Sequence, residues 1–189
     1  MRWQRLFADL SAQLEEAEAS VEHAEAASRA RAEVGAVRLT DRLRGAAGSA
    51  LVLRCRGAGQ LAGVLTDVGS DWVLLEDERG AEVLVAAPAV LAVAGLGRRT
   101  APEAASGAVH VRLDLRRALR GLARDRTAVQ VVLEDGALLS GTLDRVGADF
   151  VEIAEHPLDV PRRASAVQGV HAVALAAVAV VRTVQPRLD

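Results

Sequence analysis

Lysine, asparagine and tyrosine are absent from this 189-residue chain, and isoleucine occurs once, at Ile153. All 23 basic side chains are therefore arginines. The missing types have AT-rich codons, which indicates a GC-rich bacterial gene. For that reason the use of arginine is not by itself a sign of bidentate phosphate recognition, and the shortage of aromatic residues is only weak evidence against stacking on bases. Without lysine, a phosphate-binding loop of the G-x-x-x-x-G-K-[ST] type is excluded.

Cysteine, net charge and long apolar runs are also scarce. The single cysteine, Cys55, excludes an intramolecular disulfide, fits a reducing compartment and is predicted to be a buried thiol. A formal net charge of −2 gives no global field that would attract nucleic acid or an anionic membrane. The apolar stretches 83–96 and 170–181 are shorter than the roughly 20 residues of a spanning helix. With no apolar core of signal-peptide length near the start, these features predict a soluble, cytoplasmic protein without membrane contact.

The sequence contains no motif that is typical of a catalytic or a metal-binding site. Its four histidines are scattered, and none has metal-ligand spacing to cysteine or carboxylates. The stretch 57–63, GAGQLAG, looks like a dinucleotide-binding loop but precedes a strand instead of a helix, which indicates a hairpin turn. We therefore predict no catalytic residue, no metal site and no cofactor, and a protein that is not an enzyme.

Residues 1–30 have the pattern of an amphipathic, coiled-coil-like helix. Apolar side chains recur at alternating steps of four and three, which is a heptad seam. The large members of this seam are Trp3, Phe7, Leu10 and Leu14. Two interpretations stay open: a solvated helix that lies against the rest of the protein, or a helix that forms a homodimer through the seam.

The middle and the end of the chain repeat one pattern. Residues 63–75, GVLTDVGSDWVLL, and 141–153, GTLDRVGADFVEI, are identical at six of thirteen positions. Short alternating or apolar runs separated by Gly, Pro and Asp predict five strands in each copy. The Asp-Gly pair at 135–136 predicts a two-residue hairpin with positive φ at both positions.

The sequence thus predicts a mainly β protein with helices (α+β). A helix over 31–47 begins the first copy, and a helix over 109–126 begins the second. The predicted organisation is the helix of residues 1–30, a five-stranded barrel over 31–96, a linker over 97–108, a second five-stranded barrel over 109–184 and a tail over 185–189.

The repeated unit resembles the Sm-like fold within the SH3-like small barrels. The resemblance rests on a helix followed by five short strands, on the motif G-x-L-x-x-V-G-x-D-aromatic-V and on a tight corner between strands four and five. It covers about 35–96 and 110–184, and it implies two fused barrels and a binding role of the kind this fold serves, on RNA or on protein partners. The pattern of the whole chain, with its start MRWQRLFADL, also resembles a group of actinobacterial proteins, and this resemblance implies no activity.

The residues that hold a base in the Sm-like family are not matched here. Where the family has D-x-x-M-N after strand two, this chain has GSDWV and GADFV. Gly69 and Gly147 therefore replace the aspartate, and Val73 and Val151 replace the asparagine. The resemblance implies the fold more strongly than it implies the family's binding of uridine.

The turn after strand two carries glycine and aspartate in both copies. Gly69 and Asp71, like Gly147 and Asp149, are predicted to be structural turn residues, with carboxylates that accept hydrogen bonds from nearby backbone N–H groups. A role at the rim of a ligand site is the alternative. The aromatic residue after each aspartate belongs either to the core or to a platform for stacked bases.

The strongest local charge, +4, lies at residues 112–126. The candidate nucleic-acid-binding residues are Arg112, Arg116, Arg117, Arg120, Arg124 and Arg126. Three of them, at steps of four from Arg116, share one helical stripe. A phosphate-contacting strip and a solvated face paired with the acidic first helix both fit this pattern. Arginine pairs in the linker and in the loop before the last two strands would extend such a strip.

Two hypotheses of function follow. The first is a non-enzymatic, RNA-associated regulator that contacts RNA or DNA through the arginines. The second is a protein–protein adaptor or scaffold that uses the N-terminal helix and the barrel surfaces without binding nucleic acid. The near-neutral charge and the missing base pocket favour the adaptor, whereas the Sm-like resemblance and the arginines favour nucleic acid.

Overall fold

The structure, a computed structural model, describes residues 2–101, 113–158, 163 and 165–184; in the first helix it describes the side chains of Phe7, Leu10, Gln13, Glu16 and Glu18 and of most residues from Ser20 onward. Its helices and strands in chain order are α1 (Arg2–Ala36), α2 (Leu39–Arg44), β1 (Ala50–Cys55), β2 (Gly59–Val68), β3 (Trp72–Glu76), β4 (Glu82–Ala86), β5 (Val90–Ala94), α3 (Leu115–Arg124), β6 (Ala128–Leu133), β7 (Leu138–Val146), β8 (Phe150–Glu155), β9 (Gly169–Ala174) and β10 (Val178–Thr183). A single 3-10 turn separates β4 from β5, and another separates β9 from β10.

The N-terminal helix α1 extends past its predicted end, through Ala36. Alanine, glutamate and arginine dominate its sequence, and each favours the helix. The single helix predicted over 31–47 is wrong, because its first residues belong to α1 and α2 spans only Leu39–Arg44. The chain forms two compact units, Met1–Arg38 and Leu39–Asp189.

The ten described strands form one antiparallel sheet, so the prediction of two five-stranded barrels is wrong. The strand order is β5-β1-β2-β3-β4-β10-β6-β7-β8-β9. We call β1–β5 the first block and β6–β10 the second block. Among the described strands, neither block closes on itself, because the outer side of β4 pairs with β10 of the other block. The backbone donors and acceptors of β4 are therefore satisfied across the two blocks, in one continuous ladder.

The two blocks have the same internal pairing, so the sequence repeat is a structural repeat. In each block the strand order is five, one, two, three, four. Leu65 pairs with Leu75 as Leu143 pairs with Ile153, and a bulge lies at the same place beside both pairs. Equivalent residues are 78 positions apart through strand three and 88 apart from strand four onward.

The contact between β4 and β10, which we call the junction, belongs to the core. Val85 pairs with Val180, and Leu84 pairs with Val181. All four side chains are buried. One hydrophobic cluster contains residues of both blocks, which explains why both blocks lie in a single compact unit.

Helix α2 is fixed to the first block by one apolar and two polar contacts. Leu43 is fully buried in the shared cluster. The Arg44 guanidinium donates to the Gly69 carbonyl at 3.0 Å. After the helix, the backbone N–H of Gly48 donates to the Leu65 carbonyl at 2.7 Å, and φ of +83° at Gly48 suits a residue without a Cβ.

The Asp-Gly turn of the second block differs from its prediction. Gly136 has a positive φ of 91°, whereas Asp135 does not have a positive φ. Instead the Asp135 carboxylate accepts a hydrogen bond from the Ala137 N–H at 2.9 Å. This local side-chain bond stabilises a longer turn in place of the two-residue one.

The β3–β4 turn of the first block is closed by Asp77. Its Oδ1 accepts hydrogen bonds from the backbone N–H groups of Ala81, at 2.9 Å, and Arg79, at 2.8 Å. The bond from Ala81 is the main cause that lowers the pKa of Asp77, and the bond from Arg79 and the charges of Arg79 and Arg182 act in the same direction, although desolvation opposes them.

Candidate nucleic-acid interface

Helix α3 begins at a side-chain cap. The Asp114 carboxylate accepts a hydrogen bond from the Arg117 N–H at 2.8 Å, which satisfies one of the free donors of the first turn. Leu115 and Leu119, four residues apart, are buried, and the helix packs on β7. The helix spans Leu115–Arg124, so the helix predicted over 109–126 is too long at both ends, and residues 109–112 lie outside the described part of the chain.

The exposed arginines of α3 are Arg117, Arg120 and Arg124. The predicted stripe contained Arg116 in place of Arg117. Arg116 is half-buried, and its guanidinium lies 3.6 Å from the Asp114 carboxylate. Because residues at i, i+3 and i+7 also share one helical face, the outer surface of α3 still presents three arginines together. We call these three residues the arginine face.

The arginine face is only weakly engaged by the rest of the protein. The Arg120 guanidinium donates to the backbone carbonyl of Val146, the last residue of β7, at 3.5 Å, the limit of a hydrogen bond. Arg124 lies 3.1 Å from the Asp125 carboxylate, in a highly exposed ion pair of little net worth. The Arg117 guanidinium makes no hydrogen bond or ion pair with the described residues. These side chains are therefore available to an anionic partner.

The remaining predicted arginines are not gathered at this face. Arg126 is exposed and follows the helix with a positive φ of 51°. Arg112 and Arg162 lie outside the described residues, and Arg163 is exposed. The arginine pair of the linker, at 98–99, is exposed. The Gly97 carbonyl just before it accepts a hydrogen bond from the Arg42 guanidinium of α2 at 2.7 Å, so this segment lies beside α2 and not on α3.

The turn at 69–72 holds the start of α3. The Asp71 Oδ1 accepts a hydrogen bond from the Leu115 N–H at 2.7 Å, and the Trp72 Nε1–H donates to the Leu113 carbonyl at 2.8 Å. The Ser70 hydroxyl donates to the same carbonyl at 3.2 Å. Sequence reasoning predicted a local role for Asp71 and missed this contact, because its partner lies 44 residues away.

The equivalent turn of the second block keeps the backbone geometry without such a contact. The Asp149 carbonyl accepts from the Leu175 N–H at 2.8 Å, as the Asp71 carbonyl accepts from the Ala87 N–H at 2.8 Å. The carboxylate of Asp149 is exposed. The difference is largest at the aromatic position, which is 6% exposed at Trp72 and 37% exposed at Phe150.

The glycines of these turns lie under the aromatic rings. A Cβ at Gly69 would overlap the Trp72 indole, and a Cβ at Gly147 would overlap the Phe150 ring. The repeated Gly-x-Asp-aromatic motif therefore follows from close packing of a ring on the turn. The burial of Trp72 shows that it belongs to the core and is no platform for stacked bases.

A cavity of about 340 Å³ lies where the two blocks meet. Its polar lining is mainly acidic and includes Asp71, Asp114 and Glu134 beside Arg116. A second, apolar cavity of about 240 Å³ lies between α3 and the strands β3 and β4. Neither of these two linings offers a cluster of basic side chains that would suit a phosphate.

Other candidate chemistry is absent from the described residues. They contain no group of three His, Cys, Asp or Glu side chains that could hold a metal ion. Burial raises the pKa of Cys55 to about 11, which keeps its thiol protonated. Among the described helices, none is long and apolar enough to cross a membrane.

The predicted seam of α1 is described at two of its large residues. Phe7 is exposed, and Leu10 is 51% exposed. The side chains of Trp3 and Leu14 lie outside the described set. Val21, which continues the seam, is exposed as well.

No protein-family model, no curated protein and no solved structure matches this chain.

Proposed function

We propose that this chain is a non-enzymatic protein that binds RNA through the arginine face. The observation that carries the proposal is the charge pattern of α3, in which every ionisable side chain from Leu115 to Arg124 is an arginine and three of them are exposed. Guanidinium groups bind phosphates in bidentate geometry. The Sm-like resemblance of the strand pattern supports RNA as the nucleic acid.

The expected mode of binding is contact with phosphates, without readout of bases. Val73 and Val151 stand where the Sm-like family has its base-contacting asparagine, and both are buried. Trp72 is buried with its N–H engaged. Binding of this kind depends on counterion release, so it varies little with sequence and falls steeply with salt.

A salt titration of binding to mixed-sequence single-stranded RNA tests the proposal. The variant R117A/R120A/R124A removes the arginine face. The matched control R31A/R54A/R79A removes three exposed arginines that lie in α1, in β1 and in the turn before β4, so that both variants lose the same charge. Each lost phosphate contact makes the negative slope of log K against log salt shallower by about 0.7, which predicts a slope shallower by about 2 in the first variant and a smaller change in the control.

Two results would contradict this function. One is the absence of measurable RNA binding by the wild-type protein at low salt. The other is equal weakening in both variants, which would show that net charge alone matters. Duplex DNA as a competitor separates recognition of RNA from general affinity for polyanions.

A second candidate function, a protein–protein adaptor, is favoured by α1. This helix exposes Leu10 and Val21, which lie on the predicted seam. Exposed apolar side chains at heptad spacing suit a coiled-coil contact. We expect the variant L10E/V21E to have a lower mass by light scattering than the wild-type protein if the seam forms a homodimer. An unchanged mass would remove self-association through the seam from this proposal.

A further inference from the structure

We propose that the apolar cavity of about 240 Å³ between α3 and the first block is a binding site for a small hydrophobic amine. The ligand has a single ring on a short chain, which enters the cavity, and a protonated amino group, which stays at the mouth beside Glu82. The site is separate from the arginine face, because Ala118 and Leu122 line it from a different side of α3.

The deepest part of the cavity is the junction. Leu84 of β4 pairs with Val181 of β10, and these side chains are 9% and 2% exposed. Both line the cavity. The site therefore lies where the two blocks meet, and boundaries of this kind are preferred places for ligand pockets.

The walls of the cavity are held in place by contacts within the protein. Trp72 and Leu113 are neighbours in the lining, and the Trp72 Nε1–H donates to the Leu113 carbonyl at 2.8 Å. Ala118 and Leu122, one turn apart on α3, pack against the shared hydrophobic cluster. Because these contacts form without a ligand, the cavity is preformed, and binding requires little reorganisation of the protein.

The size and lining of the cavity set the class of ligand. Apart from Glu82 and Thr183, every lining residue is apolar. An apolar cavity of about 150 Å³ binds benzene, so a cavity of about 240 Å³ holds one ring together with a short chain. A sugar or a phosphate would find few polar partners on these walls, whereas a hydrocarbon body would lose contact with water.

The two polar lining residues lie at the same end of the cavity. Glu82 is exposed and Thr183 is half-buried. The pairing of β4 with β10 runs from Leu84 with Val181 to Val83 with Arg182, and the next step of this register brings Thr183 beside Glu82. A carboxylate and a hydroxyl oxygen both accept hydrogen bonds from an ammonium group.

The charges at the mouth favour a cation. Glu76 of β3 lies directly opposite Glu82, and like charges in that arrangement repel each other. Neither glutamate forms a hydrogen bond or an ion pair with the described residues. Arg182 does not neutralise this pair from the same face, because it is paired with Val83 and successive side chains of a strand alternate. An ammonium group at the mouth would reduce the repulsion, whereas a carboxylate would add a third negative charge.

The fluorescence of Trp72 reports on the cavity directly, because Trp72 lines it. The chain has two tryptophans, so the variant W3F keeps Trp72 as its single one. This variant is titrated with phenethylamine, phenethyl alcohol and hydrocinnamate. The three probes share a phenyl ring on a short chain, and their head groups are a cation, a neutral hydroxyl and an anion.

We expect a saturable change of Trp72 fluorescence with phenethylamine and weaker binding of the alcohol and then of the carboxylate. Because Glu82 is exposed, solvent screens its ion pair with the amine, and the preference over the alcohol should be about threefold. The substitution E82Q should abolish that preference. The matched control E78Q removes the same charge from an exposed glutamate outside the cavity lining and should keep it.

Filling the cavity tests where the probe binds. The substitution A118F, made in the W3F protein, places a ring in the cavity and should abolish the fluorescence change with all three probes. The control A172F makes the same substitution at an exposed alanine of β9 and should leave the binding unchanged. Circular dichroism verifies that both proteins are folded.

Three results would overturn the proposal. The first is the absence of a saturable change with every probe in W3F. The second is equal binding by A118F and A172F, which would locate the probe elsewhere. The third is a preference for the amine that persists in E82Q, and this comparison remains decisive if A118F does not fold, because E82Q and E78Q change exposed side chains only. The RNA titration is independent of these results.

Discussion

Trp72 and Phe150 are equivalent residues in different surroundings, so truncating each to alanine measures what the contact with α3 contributes. Trp72 is 6% exposed and donates to the Leu113 carbonyl at 2.8 Å. Phe150 is 37% exposed. The prediction is that W72A lowers the free energy of unfolding far more than F150A does.

The structure sets the expected size of the two effects. Removal of a buried aromatic side chain costs about 3–5 kcal/mol, and the lost hydrogen bond adds about 1 kcal/mol. The Leu113 carbonyl keeps the Ser70 hydroxyl at 3.2 Å, so it is not left unsatisfied. We expect about 4–6 kcal/mol for W72A. For F150A, which leaves a smaller cavity on a partly exposed ring, we expect about 1–2 kcal/mol.

Urea unfolding followed by circular dichroism measures both values. With a slope of about 2 kcal/mol per molar urea for a chain of this size, the two midpoints should differ by about 1–2 M. The variant W72F, which keeps most of the apolar volume and removes only the N–H donor, should cost about 1–2 kcal/mol. Costs for W72A and F150A that agree within about 0.5 kcal/mol would refute the reasoning. Measurements at two protein concentrations detect any contribution from assembly.

Three further predictions concern the turns. G69A should cost about 1–3 kcal/mol by overpacking against a buried ring, whereas G147A should cost less, since its neighbouring ring is partly exposed and can move. D71A should cost about 1–2 kcal/mol by leaving a helix N–H without its charged acceptor, and D149A should change stability by less than about 0.5 kcal/mol. For Asp77, whose pKa is lowered in the folded state, the stabilising effect is present above the unfolded pKa of about 3.9 and is lost as pH falls through the lower folded value; D77N should flatten this acid limb.

The same urea experiment checks all of these values, at pH 7 for the glycine and Asp71 pairs and across pH 2–6 for Asp77. Within each pair the residue of the second block is the control, because its backbone geometry is the same. Equal costs in the two members of a pair would contradict the role given to the contact between the first block and α3. If the free energy of unfolding of D77N fell between pH 6 and pH 2 as much as that of the wild-type protein, the role given to Asp77 would be contradicted.

The strands and their repeat could be predicted from the local sequence pattern, whereas the pairing of β4 with β10 between the two blocks could not. The similarity of 63–75 and 141–153 predicted two copies of one unit, and the structure shows the same register in both. Nothing in either copy indicates which edge β4 pairs with. Its residues, EVLVA, and those of β10, VAVVRT, are apolar and suit many neighbours. The pairing of the two blocks is seen only in their tertiary contacts, such as Val85 opposite Val180.

The arginines of α3 show the same limit at the level of one helix. Helical spacing is compatible with either set of arginines on one side of the helix: the predicted stripe, which begins at Arg116, and the observed arginine face, which begins at Arg117. The rotation of the helix about its axis decides between Arg116 and Arg117, and that rotation is fixed by the burial of Leu115 and Leu119 and by the contacts of the turn at 69–72. A few tens of degrees decide which guanidinium faces the solvent.

The sequence by itself determined the strand-rich unit, its duplication, the arginine-rich helix and the absence of metal-ligand spacing, because each depends on residues close together in the chain. Only the tertiary structure decided that ten strands share one sheet, that Asp71 holds the start of α3 and that Trp72 is buried where Phe150 is not. Those features depend on contacts between residues 41 or more positions apart, and side-chain spacing carries no record of such contacts.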